Sequence, residues 1–234
     1  CGKSTTLRIL AGLQKPIAGT IETNGNPIEG PGLGRSVVFQ NYSLFPWMTV
    51  KKNVEFGIKQ ASIELSRGLS KGQMSDIADE YLTKVSMRKA ADLYPYQLSG
   101  GMRQRVAIAR ALAMDTEVLL FDEPFGALDI KTRRELQMLM EDLWVSGRKK
   151  TAVFVTHDIE EALLLADSIV FMSAGEFRDE FEVSAPRPRV PEVYFETPEY
   201  KRMHAHLLDL FYKAEETKLD QADREQVFDG GATL

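Results

Sequence analysis

The sequence has a single cysteine among its 234 residues, so it cannot form an internal disulfide, and such low cysteine use is typical of a reducing compartment. It also lacks any apolar run near the roughly 18 residues that a membrane-spanning helix requires. The most apolar stretch, residues 162–172, is interrupted by Asp167. We therefore expect a chain that does not cross a membrane by itself, while composition leaves open an attachment through a partner.

An excess of basic residues is absent as well. The 34 Asp and Glu residues outnumber the 29 Lys and Arg residues, and the formal charge is −5, so nothing in this balance indicates nucleic-acid binding. Apolar residues make up 44% of the chain and charged residues 27%. This composition is typical of a compact protein with one sizeable core, or of a large domain with a small appendage.

Apolar runs that suit buried strands alternate with helical patterns along much of the chain, which predicts a parallel, doubly wound α/β sheet. Residues 50–98 contain no such run, and their pattern predicts a mostly helical insertion. Asn24-Gly25 predicts a turn between two short extended pieces. The strand-like runs are Arg35–Gln40, Glu117–Glu123, Thr151–His157 and Asp167–Ser173, and the later helical patterns are Ile130–Trp144 and Ile159–Ala166.

The C-terminal part has a different pattern. Residues 173–183 predict an edge hairpin, and the Pro-rich stretch 185–193 predicts a linker that continues neither sheet nor helix easily. Thr197-Pro198 predicts a helix start, because a capping hydroxyl precedes a proline at the first helical position. From Asp220 onward the sequence is polar, with a glycine pair near its end, so we expect disorder there.

The opening stretch CGKSTTLRIL places Gly2, Lys3 and Ser4 at the start of an amphipathic helix. Unpaired N–H groups at a helix start stabilise an anion, Lys3 adds a charge for the outer phosphates, and the Ser4 hydroxyl can ligate Mg²⁺. The same residues also suit an ordinary helix start, because the earlier glycine and the preceding strand of a complete phosphate loop are absent.

Two further segments carry residues suited to a nucleotide. Asp122 and Glu123 follow an apolar run at the strand end that faces the ligand crevice in parallel sheets. One carboxylate there can hold Mg²⁺ and the other can accept a proton from water, although both could also be solvated acids. Ser99, Gly100 and Gly101 precede a second amphipathic helix, where glycines let a phosphate approach bare backbone N–H groups.

Six short motifs follow one another in a fixed order within the first 185 residues: CGKST, VVFQ, LSGGM, VLLFDEP, GALD and VTHD. In this order and spacing the chain resembles the nucleotide-binding subunit of ATP-binding cassette (ABC) transporters. The motifs match its Walker A, Q-loop, signature, Walker B, D-loop and H-loop. The resemblance implies a P-loop NTPase fold, an α/β RecA-like parallel sheet core with an inserted α-helical subdomain, here without its N-terminal strands.

The resemblance also implies a division of the chain. Residues 1–49 would be the first part of the ATPase core, 50–113 the helical subdomain with the signature, and 114–185 the rest of the core. Residues 186–234 would be the linker, the C-terminal helix and a disordered tail. Cys1 would lie inside the Walker A loop of a longer protein that hydrolyses ATP, and we expect the chain starting at Cys1 to bind ATP weakly.

In this family two subunits pack head to tail, and each ATP lies between the Walker A loop of one and the signature of the other. The resemblance implies that Gly2 and Lys3 bind phosphate, with Lys3 at the β- and γ-phosphates. Ser4 would ligate Mg²⁺, and Thr5 would lie by the α-phosphate. ATP and Mg²⁺ are the implied cofactors, and a second copy of the chain is the implied partner.

The resemblance assigns catalytic roles to residues at the strand ends. Glu123 would be the general base, Gln40 would touch Mg²⁺ or the attacking water, and Asp122 would orient the metal. His157 would contact the γ-phosphate and hold the transition-state geometry; without the resemblance it would be a strand-end histidine in a loop. Signature and D-loop residues would act across the dimer, the first three on the partner's ATP: Ser99, Gly100, Gly101 and Asp129.

The stretches PYQLSGGMRQR and SLFPWMTVKKNVEFG, together with the Pro/Arg-rich tail, resemble bacterial importers of the nitrate/sulfonate/taurine group. This implies an ATPase that powers uptake of a small solute from the cytoplasmic face of the membrane. Its partners would be permease subunits and, indirectly, a solute-binding protein, with no nucleic acid. The alternatives are an inactive nucleotide-binding or interaction subunit and a non-transport ABC ATPase.

Residues 42–50, YSLFPWMTV, form an aromatic segment with two interpretations. The side chains can pack in the core of the helical insertion, or they can line a groove that receives a cytoplasmic helix of the membrane subunit. His204 and His206 lie two positions apart on the last predicted helix. They do not share a face, so we interpret them as solvated side chains rather than as metal ligands.

Overall fold

A computed structural model describes the backbone of residues 2–146 and 150–229, and the side chains of residues 2–145 and 150–214. The chain forms two compact units. One unit comprises Lys3–His157, and the other takes in the residues from Asp158 onward together with Gly2. The expected division into an ATPase core and an inserted helical subdomain stays a prediction.

The first unit is built on a parallel sheet. Its strands β3 (Arg35–Val38), β4 (Val118–Asp122) and β5 (Thr151–Val155) lie in that order, and β4 pairs with both neighbours. The parallel α/β sheet expected from the sequence is confirmed. Because Asp122 pairs in register with Val155, the carboxyl ends of the strands meet at one edge.

Helix α1 (Lys3–Leu10) packs against this sheet. Leu7 and Ala11 form a buried cluster with Leu120 of β4 and Val155 of β5. Burying such side chains contributes about 1.5–3 kcal/mol each for the larger ones, so the cluster holds the start of α1 beside the strand ends. Before β3, a short hairpin pairs β1 (Glu22–Thr23) with β2 (Asn26–Pro27), which confirms the predicted turn.

Helices α2 (Val50–Glu64), α3 (Lys71–Lys84) and α4 (Gly100–Ala113) pack against one another beyond the sheet. Each begins with a side-chain cap, because Thr49, Ser70 and Ser99 accept hydrogen bonds from backbone N–H groups of the first turn. The predicted helical stretch is confirmed as helical. Helix α5 follows at Ile130–Ser146, and 3₁₀ turns lie at Arg88–Ala90 and Pro95–Gln97.

The sequence predicted that the run Asp167–Ser173 lies in the parallel sheet, and this prediction is wrong. Within the described residues its strand β6 (Ser168–Ser173) pairs antiparallel with β7 (Glu176–Glu182) in a separate two-stranded sheet. Ala174 and Gly175 between them have φ angles of 51° and 80°. Two residues of positive φ make a tight turn whose twist matches antiparallel strands, so local pairing wins.

The second unit continues with α6 (Ile159–Leu165), α7 (Pro191–Tyr194) and α8 (Pro198–Asp229). Thr197 caps α8 by accepting a hydrogen bond from Tyr200 N at 3.2 Å, as the Thr-Pro pair predicts. The helix runs through residues 220–229, where the sequence favoured disorder. Half of that stretch consists of good helix formers (Ala, Arg, Gln and Glu), and it contains no glycine or proline. Residues 230–234 of the predicted tail lie outside the described residues.

Arg189 is the most deeply buried cation of this unit, with its side chain 1% exposed. Its guanidinium donates to the carbonyl oxygens of Leu163 at 3.3 Å and Leu164 at 3.1 Å, and also to that of Ala166. Further bonds reach Val183 O and Ala185 O, each at 3.1 Å. A side chain from the Pro-rich stretch thereby satisfies the carbonyls that end α6.

Candidate functional site

The candidate site begins where α1 meets β4. Ser4 Oγ donates a hydrogen bond to Asp122 Oδ1 at 3.0 Å. Asp122 is 7% exposed, and the cluster of Leu7 beneath α1 keeps the two elements together. A hydroxyl and a carboxylate oxygen in contact are the kind of ligands that Mg²⁺ prefers, so Ser4 and Asp122 fit that ion. Gln40, the third residue predicted as a metal ligand, is hydrogen-bonded to Glu123 instead.

Glu123 lies at the centre of the predicted catalytic residues. Its Oε2 accepts a hydrogen bond from Gln40 Nε2 at 3.4 Å, and its Oε1 lies 3.3 Å from His157 Nδ1. Residues that are 83 positions apart in the sequence, Gln40 and Glu123, thus meet at the carboxyl edge of the sheet. The structure brings together all three residues that the sequence predicted as catalytic.

The backbone of Glu123 has an unusual conformation. Its φ angle is 48°, in the left-handed region that costs a side-chain-bearing residue about 1 kcal/mol or more. Its N–H donates to Val155 O at 2.8 Å, which continues the β4–β5 pairing by one residue. The turn out of β4 thereby directs the carboxylate towards Gln40 and His157 rather than along the strand.

The signature residues lie at the start of α4. Ser99 Oγ caps the helix by accepting from Met102 N at 3.2 Å, and its side chain is exposed. A Cβ on Gly101 would lie 3.4 Å from Ala127 O, and a Cβ on Gly100 would lie 3.1 Å from the Tyr42 hydroxyl oxygen. Small residues therefore let the signature pack closely against the segment that precedes Asp129.

Asp129 caps α5. Its Oδ1 accepts a hydrogen bond from Thr132 N at 3.0 Å, and the bonds from Thr132 lower the pKa of the Asp129 carboxyl. The side chain is exposed and ionised at neutral pH, and its predicted role in linking two subunits stays a prediction. The same holds for Gly2, Lys3 and Thr5 as phosphate ligands; Gly2 has a φ angle of 95°, which favours glycine.

Two residues that sequence reasoning missed join the Q-loop to the signature helix. Arg110 donates to Ser43 O at 2.9 Å and to Tyr42 O at 3.3 Å, and burial lowers the pKa of its guanidinium. Arg103, seven residues earlier on α4, lies with its guanidinium 5.3 Å from the centre of the Tyr42 ring. No local pattern in the sequence marks this contact, because Tyr42 and Arg110 are 68 residues apart.

The aromatic segment after the Q-loop, residues 42–50, is consistent with both interpretations: core packing and a surface for a partner. Phe45 packs its ring 4.8 Å from that of Phe56, centre to centre, whereas Trp47 is 69% exposed. Trp47 and Phe56 line a cavity of about 590 Å³, together with Met74 and Tyr94. Part of the segment is therefore core, and part is an apolar surface open to a partner.

Within the described part of the chain, no helix is long and apolar enough to cross a membrane. The same residues contain no cluster of three or more His, Cys, Asp or Glu side chains that could hold a metal.

Comparison with known proteins places these residues in a wider context. A family described as "ABC transporter" matches residues 1–126. The nitrate import ATP-binding protein NrtD of Synechococcus elongatus is 43% identical over 216 residues, covering 91% of this chain and 77% of that protein. The bicarbonate transport ATP-binding protein CmpD of the same species is 42% identical over 215 residues, covering 91% and 76%.

A solved structure resembles the chain as well. It is the dimeric, post-hydrolysis state of the ATP-binding cassette MJ0796 bound to ADP and Pi, with a TM-score of 0.70 and 32% identity. The match covers 79% of this chain and 82% of that one. The likeness therefore extends to a cassette that was solved with ADP and Pi bound.

Proposed function

The chain belongs to the ABC transporter family as an ATP-binding, ATP-hydrolysing subunit, and from this premise we propose that it powers the import of a small solute. The observation that carries the proposal is the contact of Glu123 with both Gln40 and His157, beside the Ser4–Asp122 pair. A base, two polar groups and a hydroxyl–carboxylate pair at one sheet edge are what phosphoryl transfer to water requires.

Ser4, Asp122 and Lys3 position the phosphates in this proposal. The N–H groups at the start of α1 face the negative charge, and the Lys3 ammonium adds a positive charge next to them. Mg²⁺ bound by Ser4, with Asp122 beside it, would neutralise charge on the phosphate oxygens. Leu7 and the cluster beneath it keep this helix start fixed, so little reorganisation is needed when ATP binds.

Glu123 is the proposed general base, which takes the proton of the attacking water. The Gln40 bond to Glu123 measures 3.4 Å, long for a hydrogen bond, so water can replace the amide at little cost. Gln40 then holds that water by its side-chain oxygen. His157, whose side chain is 66% exposed, donates towards the γ-phosphate as negative charge develops there.

A second copy of the chain completes each site in the proposal. Ser99 and the two glycines after it offer a helix start suited to phosphate, yet no hydrogen bond among the described residues joins Ser99 to Ser4 or Glu123. Two copies packed head to tail would place this second helix start on the ATP of the partner. The dimeric MJ0796 cassette supports this arrangement.

The solute and the membrane partner follow from the relatives. Those named for nitrate import and bicarbonate transport favour a small anion, within the nitrate/sulfonate/taurine-like group. A membrane permease would dock at Trp47 on the cytoplasmic side, and a solute-binding protein would deliver the solute to it. An inactive interaction subunit is disfavoured because Gln40 and His157 both contact Glu123.

The test is Glu123→Gln in the longer protein with a complete Walker A loop that the resemblance implies. The change keeps the shape of the side chain and removes the base. We expect ATP hydrolysis to fall by at least about a hundredfold, because general-base catalysis contributes that much or more. Binding of ATP persists, and light scattering shows a dimer that forms with Mg·ATP. Glu192→Gln, an exposed change on α7, is the matched control and keeps full activity. Unchanged hydrolysis in Glu123→Gln would reject the proposed base.

A further inference from the structure

A second cavity of about 850 Å³ opens at the edge of the sheet opposite Asp122 and Glu123. Its lining includes Leu119, near the start of β4, and Lys150, directly before β5. Leu119 and Asp122 lie three residues apart on β4, about 10 Å along the strand, and their side chains point to opposite faces of the sheet. The lining contains none of the candidate nucleotide-site residues, so the cavity is separate from that site. Its volume is that of pockets that hold drug-sized organic molecules.

The walls of this cavity are mainly apolar. Leu112 and Leu119, 4% and 1% exposed, form its floor, and Trp144 and Tyr81 contribute aromatic faces. Burial raises the pKa of the Tyr81 phenol, so its hydroxyl stays protonated at neutral pH and can donate a hydrogen bond. Rigid aromatic walls with a few polar groups are typical of sites for planar or branched apolar molecules.

The polar end of the cavity holds two cations, Arg67 and Lys150, around one carboxylate, Asp115. Asp115 is shared by two cations, because Lys150 Nζ lies 2.6 Å from Asp115 Oδ1 and Arg67 Nη2 lies 3.9 Å from Asp115 Oδ2. The other carboxylate of the lining, Glu80, is neutralised by Lys84 at 2.6 Å. One carboxylate between two cations leaves room for a second carboxylate to bind.

The surrounding backbone limits which anion fits. Leu112 and Ala113 end α4, and Leu143 and Trp144 lie in the last turn of α5, so two helix C-termini with their partial negative charges border the cavity. These disfavour a multiply charged phosphate. A single carboxylate is compensated by Arg67 and Lys150, which also bond to the carbonyls that follow α4.

We propose that this cavity binds an amphipathic carboxylic acid, with an apolar or aromatic body against Trp144 and Tyr81 and its carboxylate at Arg67 and Lys150. The site is independent of ATP hydrolysis and adds a second small-molecule ligand to the chain. Its elements α4, α5 and β4 each also reach the candidate nucleotide site, through Ser99, Asp129 and Asp122 at or beside their other ends.

Trp144 provides the reporter for a direct test. The sequence has two tryptophans, so Trp47→Phe leaves Trp144 as the single donor for energy transfer to 8-anilinonaphthalene-1-sulfonate, an aromatic anion. We expect saturable transfer with one dye per chain. 2-Naphthoate displaces the dye at about tenfold lower concentration than 2-naphthalenemethanol or 2-naphthylmethylamine, because it alone forms charge-assisted hydrogen bonds with both cations.

Lys150→Gln tests the cation that the carboxylate needs. We expect the affinity for 2-naphthoate to fall about tenfold while that for the alcohol stays within about twofold. Lys89→Gln, an exposed lysine outside the cavity, leaves both unchanged. Thermal unfolding of each variant shows whether it is folded. Tyr81→Phe, which keeps the aromatic wall, should change the affinities for the acid and for the alcohol by the same factor.

Three results would overturn this inference: no energy transfer from Trp144, equal displacement by acid, alcohol and amine, or equal naphthoate binding in Lys150→Gln and Lys89→Gln. Dye binding at several sites per chain, undisturbed by naphthoate, would count against it equally. None of these readouts uses ATP, so the outcome is separate from that of Glu123→Gln.

Discussion

The conformation of single residues determines the geometry of the candidate site. Glu123 adopts a φ angle of 48° although it bears a side chain. The hydrogen bond from its N–H to Val155 O, together with the pairing of Asp122 with Val155, holds it there. Strain of this kind persists where the neighbouring structure over-determines the backbone, and it is common at catalytic positions.

Gly12 shows a second residue-scale constraint, and it gives a prediction for stability. Its φ angle is 74°, and a Cβ there would lie 2.1 Å from Gly30 O. Gly12→Ala therefore forces the backbone apart, and we expect the free energy of unfolding to fall by about 2–4 kcal/mol. Chemical denaturation monitored by circular dichroism measures this change.

Gly19→Ala is the matched control for Gly12. Gly19 also has a positive φ angle, 84°, but a Cβ there would meet nothing within 4 Å. The control should lose about 1 kcal/mol, the cost of the left-handed backbone alone. Equal losses in the two variants would show that the contact with Gly30 does not matter.

The residues of the candidate site were predictable because they lie in short, recognisable sequence motifs. Ser4, Asp122, Glu123 and His157 are identified by their neighbours along the chain, and parallel strands bring such ends to one edge. Tyr42 and Arg110 were not predictable in the same way. Their contact joins a backbone carbonyl to a side chain 68 residues away, and no local pattern encodes that distance.

At the scale of elements, the sequence predicted the type of most helices and strands, while the pairing of one strand was wrong. The run Asp167–Ser173 has the apolar composition of a buried strand, so composition favoured the parallel sheet. The turn at Ala174 and Gly175 instead joins it to β7. Turn chemistry decides pairing where an apolar run suits either arrangement.

Arg189 gives the prediction at this scale. Arg189→Met keeps much of the buried volume but leaves the carbonyls at the end of α6 without donors. We expect a loss of about 3 kcal/mol in the free energy of unfolding, in the range seen when buried hydrogen-bonded charges are removed. The measurement is urea denaturation followed by circular dichroism.

Arg178→Met is the control for this change, because Arg178 is 51% exposed and pairs with Glu176 on the surface. Such a pair contributes under about 1 kcal/mol. If Arg189→Met were as stable as Arg178→Met, the carbonyls of α6 would be satisfied without the guanidinium, contrary to our expectation.

At the scale of the whole molecule, the proposed docking of a membrane permease depends on an exposed apolar surface. When the chain is purified from detergent-solubilised membranes, Trp47→Ser should reduce the amount of co-purified permease by at least about tenfold. The reason is that an aromatic side chain buried in an interface contributes about 2 kcal/mol or more to binding. Recovery is measured by affinity purification with quantitative mass spectrometry of proteins that have several spanning helices.

Tyr212→Ser provides the comparison. Tyr212 is 58% exposed on α8, far along the sequence from the aromatic segment, so its loss should leave permease recovery unchanged. A permease that is recovered equally with Trp47→Ser binds elsewhere. Recovery of no membrane protein with the unaltered chain would favour a non-transport ABC ATPase instead.

The hydrogen bonds from Arg110 to the carbonyl oxygens of Tyr42 and Ser43 have a mechanical consequence. A planar guanidinium bonded to two successive carbonyls couples both the rotation and the translation of its helix to the backbone of residues 42–43. A movement of α4 is therefore expected to displace the neighbouring Gln40. The contact of the Gln40 amide with Glu123 then depends on the position of the helix that begins at the signature.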